Sequence, residues 1–126
     1  MVTTDISQLS AECTNWRQQM RNYREEFTQL KDKLRQIAPK VTQKDLFQDV
    51  EHYENQFHIQ LINIHDLKHS IKAHDLKAST EKAVRNGQVS DTTWAEHEQL
   101  YDDYQRLEHM LQELKTSFQQ FVAKLN

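Results

Sequence analysis

Residues 6–37, ISQLSAECTNWRQQMRNYREEFTQLKDKLRQI, decide the fold of this chain. The apolar side chains of the stretch recur every three or four positions in strict alternation, at Ile6, Leu9, Cys13, Trp16, Met20, Tyr23, Phe27, Leu30, Leu34 and Ile37. A heptad seam maintained over about four and a half repeats predicts a long helix packed in a bundle or coiled coil. Such a seam is informative about architecture and does not identify any chemistry.

Composition excludes several classes of protein. The 126 residues predict one domain, and a single Gly, a single Pro and 37% hydrophobic residues favour an all-α fold over a sheet. The formal net charge of −3 predicts no binding of nucleic acid or of an anionic membrane. Because no apolar run approaches about 18 residues and no signal peptide is found, we expect a cytoplasmic protein. The single Cys13 excludes an intramolecular disulfide and is expected to be a small buried hydrophobe.

Two breaks divide the chain into three helices. Pro39 lacks a backbone N–H and ends the first helix, and the pair Asn86 and Gly87 suits the left-handed end of the second. The predicted single domain, 1–126, therefore contains helices at about 5–38, 43–86 and 93–125.

Polar residues mark the expected helix starts. Asp5 is the predicted cap of the first helix, Thr42 with Asp45 that of the second, and Thr93 with Glu96 that of the third. The third helix carries its own seam, which comprises His97, Leu100, Tyr104, Leu107, Leu111, Leu114, Phe118, Phe121 and Leu125.

Short connections between long helices predict an antiparallel three-helix bundle, coiled-coil-like, with up-down-up order. Residues 1–39 carry six basic and five acidic residues, whereas residues 89–126 carry three basic and seven acidic ones. This difference favours the first and third helices lying side by side. With Trp16 in the first helix and Trp94 at the start of the third, the layout resembles spectrin-type repeats, a resemblance that implies architecture alone.

The second helix departs from simple bundle patterning. Its seam includes the polar Gln60 and His74, and a second stripe follows the opposite face, at His52, Asn55, Ile59, Ile62, Asp66, His69, Ala73 and Leu76. A helix that is apolar on two faces has two neighbours to pack against, so the stripe predicts a homodimer or a helical protein partner. Isolated aliphatic residues are also ordinary on protein surfaces, and this alternative stays open.

Histidines suggest the one chemical hypothesis. His65 and His69 are four residues apart, which places both imidazoles on one helix face with Asp66 beside them. The three residues are candidate ligands for a divalent metal ion, and protonation below about pH 6.5 is an alternative way for them to respond. Two solvated histidines would show the same spacing.

No sequence feature predicts catalysis. With one Gly, the chain has no phosphate-binding loop, and the titratable residues Cys13, His74 and His97 lie in the seams with nothing to place them at one height. We therefore expect a non-enzymatic bundle that acts by protein–protein contact, most simply self-association through the second helix. A small metal-responsive or pH-responsive protein is the alternative.

Overall fold

The computed structural model describes residues 6–125 and confirms the all-α, three-helix architecture. Helix α1 spans Ile6–Ile37 and is followed by a 3-10 turn at Ala38–Lys40, α2 spans Lys44–Val84, and α3 spans Asp91–Leu125. Among these residues, no helix is both long enough and apolar enough to cross a membrane.

The core is built from the predicted seams. Eight of the ten seam residues of α1 are buried, and the other two, Leu30 and Ile37, pack partly buried against the core. Phe57 of α2 is fully buried, with its ring centroid 5.9 Å from that of Phe27 and 4.9 Å from that of Phe118. One aromatic layer thus joins all three helices.

The order of contacts gives the direction of each helix. His74 contacts His97 and Tyr53 contacts Ser117, so the residue numbers of α2 fall where those of the contacting residues in α3 rise. Along α1 and α3 the numbers rise together, from Cys13 with His97 to Glu26 with Lys115. Lys115 of α3 and Glu26 of α1 form an ion pair at 2.6 Å. Its basic residue lies on α3 and its acidic residue on α1, which is the reverse of what the net charges of the two helices favoured.

Two predicted boundaries of α1 and α2 need correction. Helix α1 ends at Ile37, one residue before the predicted end at Ala38, because a 3-10 turn with Pro39 in its first positions spans Ala38–Lys40. The predicted Thr42 cap is wrong, since α2 is capped by the backbone of Gln43, whose carbonyl accepts from the N–H groups of Leu46 and Phe47 at 3.1 Å. The predicted cap at Asp5 lies outside the described residues.

The end of α2 lies at the predicted pair. Asn86 has a φ of 54° and Gly87 a φ of 88°, and the Gly87 N–H donates to the Lys82 carbonyl at 2.9 Å. This bond is the 6→1 contact of a Schellman motif, which closes the helix. Regular helix ends at Val84, two residues before the predicted limit of 86.

The predicted capping box of α3 is wrong. Ser90 caps the helix, because its Oγ accepts from the Thr93 N–H at 3.2 Å, and α3 begins at Asp91. Glu81 of α2 holds this start in place by accepting from the Ser90 N–H at 2.7 Å and from the Thr93 hydroxyl. These hydrogen bonds lower the pKa of Glu81 below its ordinary value.

Candidate functional site

The side of α2 that points away from the core is unusually apolar. Five large apolar side chains of α2 are exposed: Phe47 by 48%, Ile59 by 38%, Ile62 by 47%, Leu76 by 68% and Val84 by 77%. At 100° per residue, all five lie within about 60° of the direction of Ile62. The core residues of α2 centre on the opposite direction. We call this side the outer face of α2.

The seven residues predicted to bind a partner all lie exposed on this side of α2. The polar members of this set are exposed among the apolar residues: His52, Asn55, Asp66 and His69. Since nothing within residues 6–125 covers them, the surface is available to another molecule.

The predicted metal ligands lie on the same exposed side. The rings of His65 and His69 stack with their centroids 6.3 Å apart, and Asp66 is exposed next to them. The i, i+4 spacing thus brings the two imidazoles together as expected. A group of three potential ligands close enough to share one ion occurs elsewhere among the described residues.

That group is buried in the core and comprises Cys13, His74 and His97, one residue from each helix. Their exposed fractions are 0%, 5% and 4%. His74 Nε2 lies 3.1 Å from His97 Nδ1, and Cys13 Sγ lies 4.0 Å from the same His97 nitrogen. One ligand atom from each residue lies within 4.8 Å of the others. We call these three residues the Cys-His-His cluster.

Aromatic packing fixes the His97 ring. Trp16 stacks against it at a centroid distance of 4.7 Å, and Trp94 meets it edge-on at 6.0 Å. His74 stacks from another side, at 5.2 Å. Packing on three sides leaves this imidazole little freedom to rotate.

Carboxylates surround the cluster. His97 Nε2 lies 3.0 Å from Glu12 Oε1, and His74 Nδ1 lies 3.8 Å from Glu96 Oε2. The His74 Nδ1 atom is buried without a hydrogen-bond partner, as is Oδ1 of the adjacent Asp75. The outer nitrogen of each imidazole therefore faces a carboxylate, while the inner nitrogens face each other.

The same surroundings shift the protonation of the cluster. Burial raises the pKa of the Cys13 thiol to about 12, and the carboxylates of Asp75 and Glu12 add to the shift. Burial also lowers the pKa of His74, with a further contribution from His97. A buried, protonated thiol is the opposite of an activated nucleophile.

Sequence reasoning named these three residues as members of the seams but did not bring them together. With helix starts predicted at 5 and 93, Cys13 and His97 stand eight and four residues into their helices, which separates them by about one turn. The structure begins α3 at Asp91, which places His97 six residues into its helix and brings the two predicted offsets to within about half a turn. A correct capping assignment at Ser90 was the missing signal.

No family model matches the chain, and no characterised protein or solved structure is significantly similar to it. The outer face of α2 and the Cys-His-His cluster are therefore the two features of the molecule from which a function can be inferred.

Proposed function

We propose that this protein acts through protein–protein contact, and that the outer face of α2 binds a second copy of the chain. The observation that carries the proposal is the alignment of five exposed apolar side chains on one side of one helix. Exposed apolar residues on a monomer are ordinarily scattered, and an aligned set indicates a surface that is buried in an assembly.

The pattern of the outer face is self-complementary, which favours a second copy over an unrelated partner. In a two-fold antiparallel pair of α2 helices centred between residues 67 and 68, Asp66 faces His69 of the second copy. In the same register Ile59 faces Leu76, and Ile62 faces the small Ala73. An isologous interface requires such reciprocal pairs, since every contact occurs twice.

The size of the apolar surface sets the strength of the association. Complete burial of one Ile, Leu, Phe or Val side chain stabilises by about 1.5–3 kcal/mol, and these side chains are already half buried. In this register Ile59, Ile62 and Leu76 meet apolar residues, whereas Phe47 and Val84 lie opposite Gln88 and Glu51. The six paired side chains of the dimer therefore contribute about 5–9 kcal/mol against an association cost of about 4–15 kcal/mol. We expect a weak, reversible dimer with a Kd well above the micromolar range.

Sedimentation equilibrium from micromolar to millimolar concentrations tests the proposal. The unaltered chain is expected to pass from monomer to dimer as its concentration rises. Ile62→Glu places a carboxylate against the Ala73 of each opposing copy, in two symmetry-related contacts, and is expected to leave a folded monomer. Met110→Glu is the matched control, because Met110 is exposed to a similar extent, 42%, but lies on α3.

Two results would contradict the proposal. One is an unaltered chain that stays monomeric throughout the concentration range. The other is an Ile62→Glu variant that dimerises as well as the Met110→Glu control does. Circular dichroism of both variants confirms that the helices are intact.

A further inference from the structure

A second site, independent of the outer face of α2, is present in the core. We propose that the Cys-His-His cluster binds a zinc-type divalent ion through Cys13 Sγ, His74 Nε2 and His97 Nδ1. Sulfur and imidazole nitrogen are the donor set that Zn²⁺ takes in proteins, and three protein ligands leave one coordination position for water or a further group.

The spacing of the donor atoms fits such an ion. In a tetrahedral zinc site with Zn–N of about 2.0–2.1 Å and Zn–S of about 2.3 Å, neighbouring ligand atoms lie about 3.3–3.6 Å apart. The two imidazole nitrogens are separated by 3.1 Å and the sulfur lies 4.0 Å from His97 Nδ1. All three ligand atoms lie within 4.8 Å of one another, so side-chain shifts of about 1 Å would bring them to the spacing of a tetrahedral site.

When both imidazoles are neutral, one of the two outer nitrogens must turn a lone pair toward a carboxylate. If His74 Nε2 donates to His97 Nδ1, the other His74 nitrogen turns a lone pair toward the Glu96 carboxylate. If His97 Nδ1 donates instead, its Nε2 turns a lone pair toward Glu12, 3.0 Å away. A cation between the inner nitrogens lets both outer nitrogens carry protons and face their carboxylates.

Both histidines then face the kind of second-sphere partner that metal-bound imidazoles ordinarily have. A ligating histidine usually donates its other N–H to a carboxylate or carbonyl, which fixes the tautomer and strengthens the ligand. Glu12 is placed to serve His97 in this way at 3.0 Å. Glu96 Oε2 lies 3.8 Å from His74 Nδ1 and would have to move closer to accept its proton. His74 Nδ1 is buried without a hydrogen-bond partner. When Nε2 binds an ion, Nδ1 carries the ring proton and can donate it toward the Glu96 carboxylate.

Local charge also favours a cation at this position. The carboxylates of Glu12 and Asp75 oppose a thiolate in the absence of metal, and the same negative charges attract a divalent ion. Binding replaces the thiol proton of Cys13 by the metal and releases that one proton to solvent. A shallow groove between α2 and α3 reaches His74 from the surface, with Glu96 and Lys77 also in its lining.

Cobalt titration of the reduced, chelator-treated protein tests the assignment. We expect a thiolate-to-cobalt charge-transfer band together with intense d–d bands of a tetrahedral ion, both abolished by zinc. Cys13→Ala is expected to lose the charge-transfer band and at least about 100-fold in affinity, since loss of a ligand costs more than loss of a second-sphere partner. The double variant His65→Ala/His69→Ala, which removes the exposed pair, is expected to retain both.

The proposal is overturned if the folded wild-type protein gives no charge-transfer band. The 3.1 Å contact between the two imidazoles would then be a hydrogen bond with a shared proton. The proposal is equally overturned if the spectrum depends on His65 and His69 rather than on Cys13. Zinc should also raise the thermal midpoint of the wild-type protein and not that of Cys13→Ala, a readout that remains valid if either protein dimerises. An Ile62→Glu monomer should bind the ion normally, so failure of either proposal leaves the other standing.

Discussion

His74 Nε2 and His97 Nδ1 face each other across 3.1 Å in the core, and each ring turns its other nitrogen toward a glutamate. The first of these histidines lies near the end of α2 and the second near the start of α3. Their meeting depends on the short connection 85–90, on its left-handed residues and on the cap at Ser90. The geometry of a buried polar site is therefore determined by the local chemistry of a surface loop.

Removal of the Glu12 charge should weaken metal binding without removing a ligand. In the variant Glu12→Gln the new amide oxygen can still accept from His97 Nε2, but the side chain no longer balances the charge of the ion. We expect an affinity for zinc about 10–100-fold lower, measured by competition with a chromophoric chelator. Glu25→Gln, a change at an exposed position of the same helix, is the control. Equal affinities in the two variants would exclude the second-sphere role.

Loss of the aromatic layer should cost much of the stability of the bundle. Phe57→Ala leaves a cavity between Phe27 and Phe118, and we expect the free energy of unfolding to fall by about 3–5 kcal/mol. Phe47→Ala makes the same chemical change at a position that is 48% exposed on the same helix, and should cost no more than about 1 kcal/mol. Urea denaturation at low protein concentration measures both. Similar losses in the two variants would show that the layer at Phe57 is not the centre of the core.

Glu81 should make stability depend on pH in the acid range. Its pKa is lowered by hydrogen bonds from Thr93 and Ser90, so its contribution is present above its ordinary value of 4.5 and is lost as pH falls through the lowered value. We expect Glu81→Gln to be less stable than wild type at pH 7, with a difference that shrinks below about pH 4.5. Thermal unfolding between pH 3 and 7 measures it. A difference independent of pH, or one matched by the exposed Glu98→Gln, would contradict this role.

Asp66 and His69 should show energetic coupling across the dimer. Asp66→Lys alone and His69→Glu alone each disturb two symmetry-related contacts, and exposed charge pairs contribute about 0.2–1 kcal/mol each. We expect either variant to dimerise a few-fold to about tenfold more weakly, and the double variant to recover much of the loss. The dimer Kd of all four proteins, determined by sedimentation, closes the cycle. Additive losses in the double variant would exclude the antiparallel register.

Sequence patterns were sufficient for the fold because seam residues are decided by burial alone. The seams identified the buried residues of α1 almost completely, and Asn86 with Gly87 marked the end of α2 because few residues adopt a positive φ. The outer face of α2 was also visible, since exposed Ile and Leu residues break the expected polar pattern of a solvated helix.

The start of α3 and the Cys-His-His cluster were not predictable in the same way. Glu81 reaches across the loop to Ser90 and Thr93, a contact between two helices that no local capping rule contains. Because the start of α3 was predicted two residues too late, the sequence did not show that Cys13 and His97 lie at the same height along the bundle. A site made of one residue from each helix depends on axial offsets, which heptad patterns do not specify.

Disulfide trapping tests the central claim, self-association through the outer face of α2, most directly. Ile59→Cys and Leu76→Cys proteins are mixed and oxidised mildly, while the native Cys13 is fully buried and protected. The antiparallel register predicts a crosslinked heterodimer in the mixture and little crosslinking in either protein alone. No crosslinking in the mixture, or equal crosslinking in Ile59→Cys alone, would contradict the account.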